Sequence, residues 1–182
     1  RDYMQQHSGQ HIISGALWKV GKFKTVSVHM GAEYTTIETD APEISDGDLL
    51  KVEELANRII EDDLPLRAVL TNDAEVNKYP LRKPCPRHGD IRLMMIGGFD
   101  CVACGGMHLE STRHVRLVRA VSMEKIRGNT RITWMIGDRA LVDYREKDTI
   151  VMDLKLSLGT RGDRLKGKAD ALQNELLEHK RK

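Results

Sequence analysis

Two pairs of metal-binding side chains, far apart in the sequence, constrain this chain more than any other feature. His7-Ser-Gly-Gln-His11 sets two imidazoles four positions apart near the start. Cys104-Gly-Gly-Met-His108 sets a thiol and an imidazole four apart much later. Residues four apart lie one above the other on a helix, and the Gly105-Gly106 pair lets the second segment bend so that both its side chains aim at one point. Two histidines plus one cysteine and one histidine make a complete tetrahedral donor set of the thiolate and imidazole type that suits zinc. A fold that uses all four must carry an N-terminal helix onto a loop formed much later in the chain.

Neither pair is decisive alone. With seven histidines in 182 residues a His-x-x-x-His spacing also arises by chance, and Ser8 stands where the glutamate of a His-Glu-x-x-His metallopeptidase would be. Cys101 and Cys104 form a Cys-x-x-Cys, which leaves a redox pair open beside the metal reading. A thioredoxin-like site wants a helix starting at the motif, and here a strand pattern precedes it without a helix signal after it. Three irregularly spaced cysteines are no disulfide framework and point to a reducing compartment, with Cys85, between two prolines, outside the chemistry. No apolar run approaches the roughly 18 residues of a membrane span, and Arg1 to Gln6 lack the apolar stretch of a secretory signal, so a cytoplasmic protein with no membrane partner is expected. A net charge of +2 neither requires nor excludes RNA, which leaves any nucleic-acid contact to local patches.

Along the chain, Asp2 is placed to cap a helix from about Tyr3 to Val20. On a helical wheel Ile12, Ile13, Ala16, Leu17 and Val20 share one arc, while His7, His11 and Ser14 fall opposite, which leaves the two histidines either a solvent-facing pair or a ligand pair facing a cleft. Lys24 to Met30 alternates as a half-buried strand, with Thr25, Ser27 and His29 on one face, and Tyr34 to Thr39 returns as its hairpin partner. Ser45 caps a helix to about Asp62 with apolar residues at three-and-four spacing, which Pro65 stops. Leu66 to Leu70 reads as a strand, Ala74 to Tyr79 as a helical turn or two, and Pro80 to Gly89 as an extended surface connection. Asp90 to Ile96 is a strand that leads into a cysteine loop. Val115 to Val121 and Thr130 to Ile136 are further strands, and a helix runs from Asp138 to about Leu158. Beyond it Leu165, Ala169, Leu172 and Leu176 repeat like a coiled-coil seam on a highly charged segment. These elements predict an α+β, two-layer fold, an antiparallel sheet with helices packed on one face, plus a C-terminal charged helix. The expected division is 1–150 for the metal-binding domain and 151–182 for a helical extension that serves as a coiled coil or a linker to a further domain.

The two ligand pairs, together with Thr25-Val-Ser-Val-His29, Gly31, Tyr34-Thr-Thr-Ile37, Pro80-Leu-Arg-Lys83, Arg127-Gly-Asn-Thr-Arg-Ile132 and Gly137-Asp-Arg-Ala140, resemble the zinc-binding editing domain of alanyl-tRNA synthetases and their free-standing relatives, the alanyl-tRNA editing proteins. The resemblance runs in order from about residue 1 to 145. It implies one zinc per chain, held by His7, His11, Cys104 and His108, with Cys101 a bystander. It implies ATP-independent hydrolysis, in translation fidelity, of the aminoacyl ester of mischarged tRNA(Ala), carrying serine or glycine. Thr25 would recognise the seryl hydroxyl, with Ser27, His29 and Met107 around the substrate. Arg113, Arg116, Lys125, Arg127 and Arg131 are the basic candidates for nucleic-acid contact, with Arg119, Lys166, Lys168, Lys180, Arg181 and Lys182 beside them. The sequence departs from the family at Met107, where threonine is usual, and at Thr112 to Arg116. Those departures motivate a second expectation, a non-catalytic zinc-stabilised RNA-binding or dimerisation module. A threonyl-tRNA editing domain is a third reading, against which the Cys-Gly-Gly-Met-His stretch argues. Nothing resembles an aminoacylation domain or the glycine-rich β-barrel of longer members, so editing in trans, or a piece of a longer editing protein, is expected, with a homodimer through the C-terminal helix.

Overall fold

The computed structural model describes residues 1–86 and 88–181, the last by its backbone alone. The order of elements is α1 (Asp2–Gly21), β1 (Thr25–Met30), β2 (Thr35–Thr39), α2 (Asp46–Glu61), β3 (Leu66–Thr71), β4 (Ile91–Ile96), β5 (Asp100–Ala103), β6 (Val118–Ile126), β7 (Asn129–Ile136), α3 (Asp138–Ser157) and α4 (Leu165–Arg181). Short 3-10 turns lie at Val76–Lys78, Thr112–Val115 and Gly162–Arg164. The fold is α+β, as the sequence predicts, and its antiparallel strands divide between two sheets. One has the order β1-β2-β7-β6, the other β3-β4-β5.

By contacts the chain forms two compact units, Arg1–Ala140 and Leu141–Lys182. In the first, the four-stranded sheet turns one face inward. Thr35, Ile37 and Thr39 alternate with outward residues on β2, as do Thr130, Ile132, Trp134 and Ile136 on β7, and Ile37 pairs with Ile132 across the ladder. The three-stranded sheet is covered on both faces. Met94 and Ile96 join the main core, while Ile91, Leu93 and Cys101 pack with Val76 in a satellite cluster. The second unit comprises the rest of α3 and α4, and Leu172 and Leu176 of the coiled-coil-like stripe are exposed.

α1 departs most from expectation. Its wheel predicts a buried arc of Ile12, Ile13, Ala16, Leu17 and Val20; the first four are fully buried and Val20 is half-buried. The opposite face is buried too, because α1 touches α2 and strands of both sheets, β1, β2 and β7 of one and β5 of the other. A buried polar face has to find hydrogen-bond partners. Gln5 Nε2 donates to the His114 carbonyl at 3.1 Å, and Gln6 Nε2 to that of Ile136 at 3.0 Å. Thr35 Oγ1 donates to Gln6 Oε1 at 3.1 Å. The close approach needs glycines: a Cβ on Gly9 would stand 2.5 Å from Ile136 Cγ2, and one on Gly15 2.6 Å from Phe99 Cε1. The cap also differs. Arg1 occupies the N-cap position, and Asp2, in the first turn, instead accepts from Arg139 Nη2 at 2.6 Å.

α2 follows its sequence signals closely. The Ser45 hydroxyl caps it by accepting from Asp48 N at 3.0 Å, and Val52, Ala56, Ile59 and Ile60 form its buried stripe. The helix ends before Pro65 is reached, with Asp63 at positive φ. Thr112 then ties the exit down: its Oγ1 donates to the Ile59 carbonyl at 2.6 Å and accepts from Leu64 N at 2.8 Å. That 3-10 turn replaces the predicted start of a strand at Val115, so β6 begins at Val118. β1 is not half-buried as its alternation suggests. As the edge strand of its sheet it is exposed over most of its length.

Candidate metal centre

α1 and the segment after β5 bring the two ligand pairs together. β5 pairs with β4 through Ala103, and Arg92 of β4 donates from Nη1 to the carbonyls of Cys104 at 2.7 Å and Gly106 at 2.9 Å. This pins the Cys104–His108 loop against α1. A Cβ on Gly106 would lie 2.2 Å from His7 Cε1, so only glycine allows the imidazole to stand there.

One donor atom from each of His7, His11, Cys104 and His108 lies within 4.8 Å of all the others. His7 Nε2 and His11 Nε2 are 3.3 Å apart, and Cys104 Sγ is 3.4 Å from His7 Nε2 and 3.3 Å from His108 Nε2. Tetrahedral zinc, with bonds of about 2.0 Å to nitrogen and 2.3 Å to sulfur, would place such atoms about 3.3 to 3.5 Å apart. The outward nitrogens of two rings are held as well. His7 Nδ1 lies 3.2 Å from the Met107 carbonyl, and His108 Nδ1 lies 3.4 Å from Ser8 Oγ, which itself accepts from Leu109 N at 3.0 Å. Donation from Nδ1 leaves Nε2 as a lone-pair donor aimed at the centre.

The electrostatics agree with a ligand set. Burial lowers the pKa of His11, favouring the neutral imidazole that binds metal. Burial alone would raise Cys104, but the surrounding His108, His11 and His7 and the Gly106 N–H outweigh it and bring the thiol down to about 3, the thiolate form. Cys101 goes the other way. Burial and the neighbouring Asp100 push its thiol up to about 11, and it lies on strand β5 among the satellite-core residues, not on the expected loop. The two cysteines of the Cys-x-x-Cys thus belong to different environments: Cys101 on β5 packs in the satellite cluster, and Cys104, an odd number of residues on and just past the strand, packs against the main core.

Beside the donor set is a cavity of about 270 Å³ lined by Gln10, His11, Ser14, Thr25 to Val28, Arg82, Lys83 and Val102 to Cys104. Thr25 and Ser27 therefore line the same space as two of the four donors. His29 does not; with Ser27, Tyr34, Thr36, Glu38 and Arg131 it borders a separate outer hollow. Met107 is 66 % exposed, and it reaches the donor set through its backbone carbonyl. Sequence reasoning missed Gln10; it placed Ser14 on the histidine face of the helix and Arg82 in the Pro80–Lys83 stretch, but gave neither a role in the site. Gln10 and Ser14 stand one helical turn from ligand positions, a signal that was available. Arg82 had only the resemblance of Pro80-Leu-Arg-Lys83 to mark it, because its buried ion pair with Asp100, at 2.8 Å, joins separate segments.

The basic candidates are mostly engaged with acids. Arg113 pairs with Asp63, Arg116 with Asp138, Arg119 with Glu53, Lys125 with Glu43, and Arg131 with Glu38 and Glu124. Arg127 is exposed at a turn with positive φ, and Lys166 pairs with Asp170. The side chain of Arg181, and Lys182 altogether, fall outside the described residues.

Comparison with known proteins fits this geometry. Residues 91–133, which carry Cys104 and His108, match the threonyl and alanyl tRNA synthetase second additional domain. The chain is 32% identical over 177 residues to the alanyl-tRNA editing protein Aarsd1 of Danio rerio, covering 94% of this chain and 43% of that protein. Aarsd1-A of Xenopus laevis is 31% identical over 162 residues, 85% of this chain and 39% of its own length. Over most of its length the chain is similar to the alanyl-tRNA editing proteins. An alanine–tRNA ligase of Ignicoccus hospitalis is 31% identical over 186 residues, 95% of this chain and 20% of the ligase. The chain thus spans about two fifths of the length of the family's curated editing proteins. Among its described residues no helix is long and apolar enough to cross a membrane.

Proposed function

We propose that the chain is an ester hydrolase that deacylates mischarged tRNA(Ala), with seryl-tRNA(Ala) the preferred substrate and glycyl-tRNA(Ala) the second. The observation that carries this reading is the hydroxyl cluster in the cavity beside the four donors. Thr25 Oγ1 donates to Ser14 Oγ at 2.9 Å, and Gln10 Nε2 donates to the same oxygen at 2.8 Å. With its proton committed to Ser14, Thr25 turns lone pairs to the cavity and suits a ligand that brings a hydroxyl donor. A seryl ester has one; an alanyl ester leaves the Thr25 acceptor unpaired, which costs binding free energy.

His7, His11, Cys104 and His108 would hold the metal ion. Once bound, it would supply Lewis acidity and positive charge beside the ester. An aminoacyl ester is already activated, so the chain's own residues have mainly to position it and stabilise the developing oxyanion. Lys83 brings positive charge to the cavity wall, where the Arg82 charge is balanced by Asp100. Val26, Val28 and Val102 supply apolar surface that limits side-chain size. Glycine fits that space but cannot use Thr25, so its ester should turn over more slowly than the seryl one.

The test is deacylation by purified, zinc-replete chain. Seryl-tRNA(Ala) should be hydrolysed and alanyl-tRNA(Ala) spared, with Thr25→Val reducing that preference by about tenfold. A metal-replete chain that hydrolyses neither ester would leave the zinc-stabilised binding module, which the closed set of four protein donors also suits.

A further inference from the structure

A second cavity, of about 210 Å³, shares Arg82 with the first. It is lined by Gly15, Trp18 and Lys19 of α1, by Pro80 to Arg82, and by Gly97 to Asp100 between β4 and β5. The same three segments border the metal-side cavity, one step along each: Gln10, His11 and Ser14 of α1, Arg82 and Lys83, and Val102 to Cys104. The two spaces follow one another along α1, with Arg82 in the wall of both. At 1.5 Å per helical residue their α1 borders are about 8 Å apart. A ribose with its attached base spans such a length.

The second section differs in chemistry from the first. Trp18 and Phe99 give it aromatic surface, and Gly15 lets the Phe99 ring lie against the helix. Lys19 Nζ sits 5.3 Å from the centre of the Phe99 ring and Lys22 Nζ 4.9 Å from that of Trp18, which places two cations beside these rings. Asp100 is the one carboxylate among the lining residues. Its side chain is 3 % exposed; Oδ1 takes the Arg82 Nε proton at 2.8 Å, and Oδ2 has no partner among the described residues. A buried carboxylate oxygen without a donor is costly, and an N–H arriving from a ligand would relieve that cost.

We propose that this section receives the base of the terminal nucleoside, an adenine, with Asp100 Oδ2 accepting from its exocyclic amine while the attached ester reaches the metal-side section. The inference rests on the aminoacyl-tRNA reading and adds which part of the RNA end is read, and by which residue. Carboxylates accept from exocyclic base amines, and aromatic side chains stack on bases of single strands. Lys19 and Lys22 would meet the phosphates of the incoming strand. Arg82 acts as a positioning residue that orients the Asp100 carboxylate.

The experiment measures binding of uncharged acceptor-stem hairpins to the zinc-replete chain, so that it does not depend on hydrolysis. Three RNAs differ only in the terminal nucleoside: adenosine, purine riboside without the amine, and inosine with a carbonyl in its place. Adenosine should bind about tenfold tighter than purine riboside, and inosine should be weakest, its carbonyl facing a carboxylate. Asp100→Asn, which keeps Arg82 on its carbonyl and turns an amide N–H₂ to the cavity, should reverse the order of inosine and adenosine. A merely structural role for Asp100 would weaken all three alike. Equal affinities for the three hairpins in the unmodified chain, or no binding of any, would overturn the proposal whether or not Asp100→Asn folds. Amine-selective binding by a chain that hydrolyses no seryl ester would sink the editing reading and leave this one standing.

Discussion

Replacing Gly106 with alanine should separate metal binding from folding. The new Cβ would lie 2.2 Å from His7 Cε1 and 2.6 Å from Nδ1. Carbon atoms in good contact are about 3.5 to 4.0 Å apart, so the two groups must part by more than about 1.3 Å. The loop cannot make that move cheaply, because Arg92 holds the carbonyls on either side of the substitution, those of Cys104 and Gly106. The imidazole is the softer partner, and it must swing away from the Met107 carbonyl that fixes its tautomer. Metal–ligand distances tolerate only about 0.2 Å, so His7 is lost as a donor. Losing an outer-shell partner already costs about 10- to 100-fold in affinity, and losing the ligand itself should reach at least the upper figure. The metal-free protein should lose no more than about 1–3 kcal/mol, the ordinary cost of overpacking. Zinc competition against a chromophoric chelator reads the first quantity, and urea unfolding of chelator-treated protein reads the second. Wild-type zinc affinity in Gly106→Ala would refute the placement of His7 at the centre.

Other outcomes follow from the same geometry. In chelator-treated protein at pH 6, iodoacetamide should label Cys104, whose thiol lies at about 3 and is ionised there, and spare Cys101, which lies at about 11 and stays protonated. Peptide mapping showing the reverse order would contradict both assignments. Cys104→Ser should sharply lower the zinc content that Cys101→Ser leaves unchanged, as elemental analysis of the two variants would show. Thr112→Val should destabilise the fold by about 2 kcal/mol in urea titration, since it removes the hydroxyl that donates to Ile59 and accepts from Leu64 deep in the core.

Much of this organisation is legible in the residues because it depends on local rules. Ser45 and the apolar stripe behind it mark α2, the alternation on either side of Gly31 marks the β1–β2 hairpin, and Gly159 to Gly162 marks the break between α3 and α4. The donors are legible because pairs at spacing four are rare enough to stand out jointly, even though no single pair does. The environment of α1 is not legible. A wheel shows which face is apolar, and it cannot show that two sheets and a helix enclose the polar face as well and satisfy it through Gln5 and Gln6. Nor does composition reveal that Arg113, Arg116, Arg119, Lys125 and Arg131 are tied to carboxylates from other elements, while Lys19 and Lys83 line the two cavities along α1.

The sequence by itself determined which atoms are available for chemistry: three imidazoles and a thiol at helical and loop spacings, a threonine at the head of the first strand, and the helices that carry them. Only the tertiary structure decided where that chemistry takes place. It set His7 and His11 facing inward, turned Cys101 away from Cys104, brought Ser14 to Thr25 and put Asp100 against Arg82. Local spacing follows from backbone geometry and is written in neighbouring residues. Convergence depends on how separate elements pack, and that is fixed by contacts between residues that no local pattern connects.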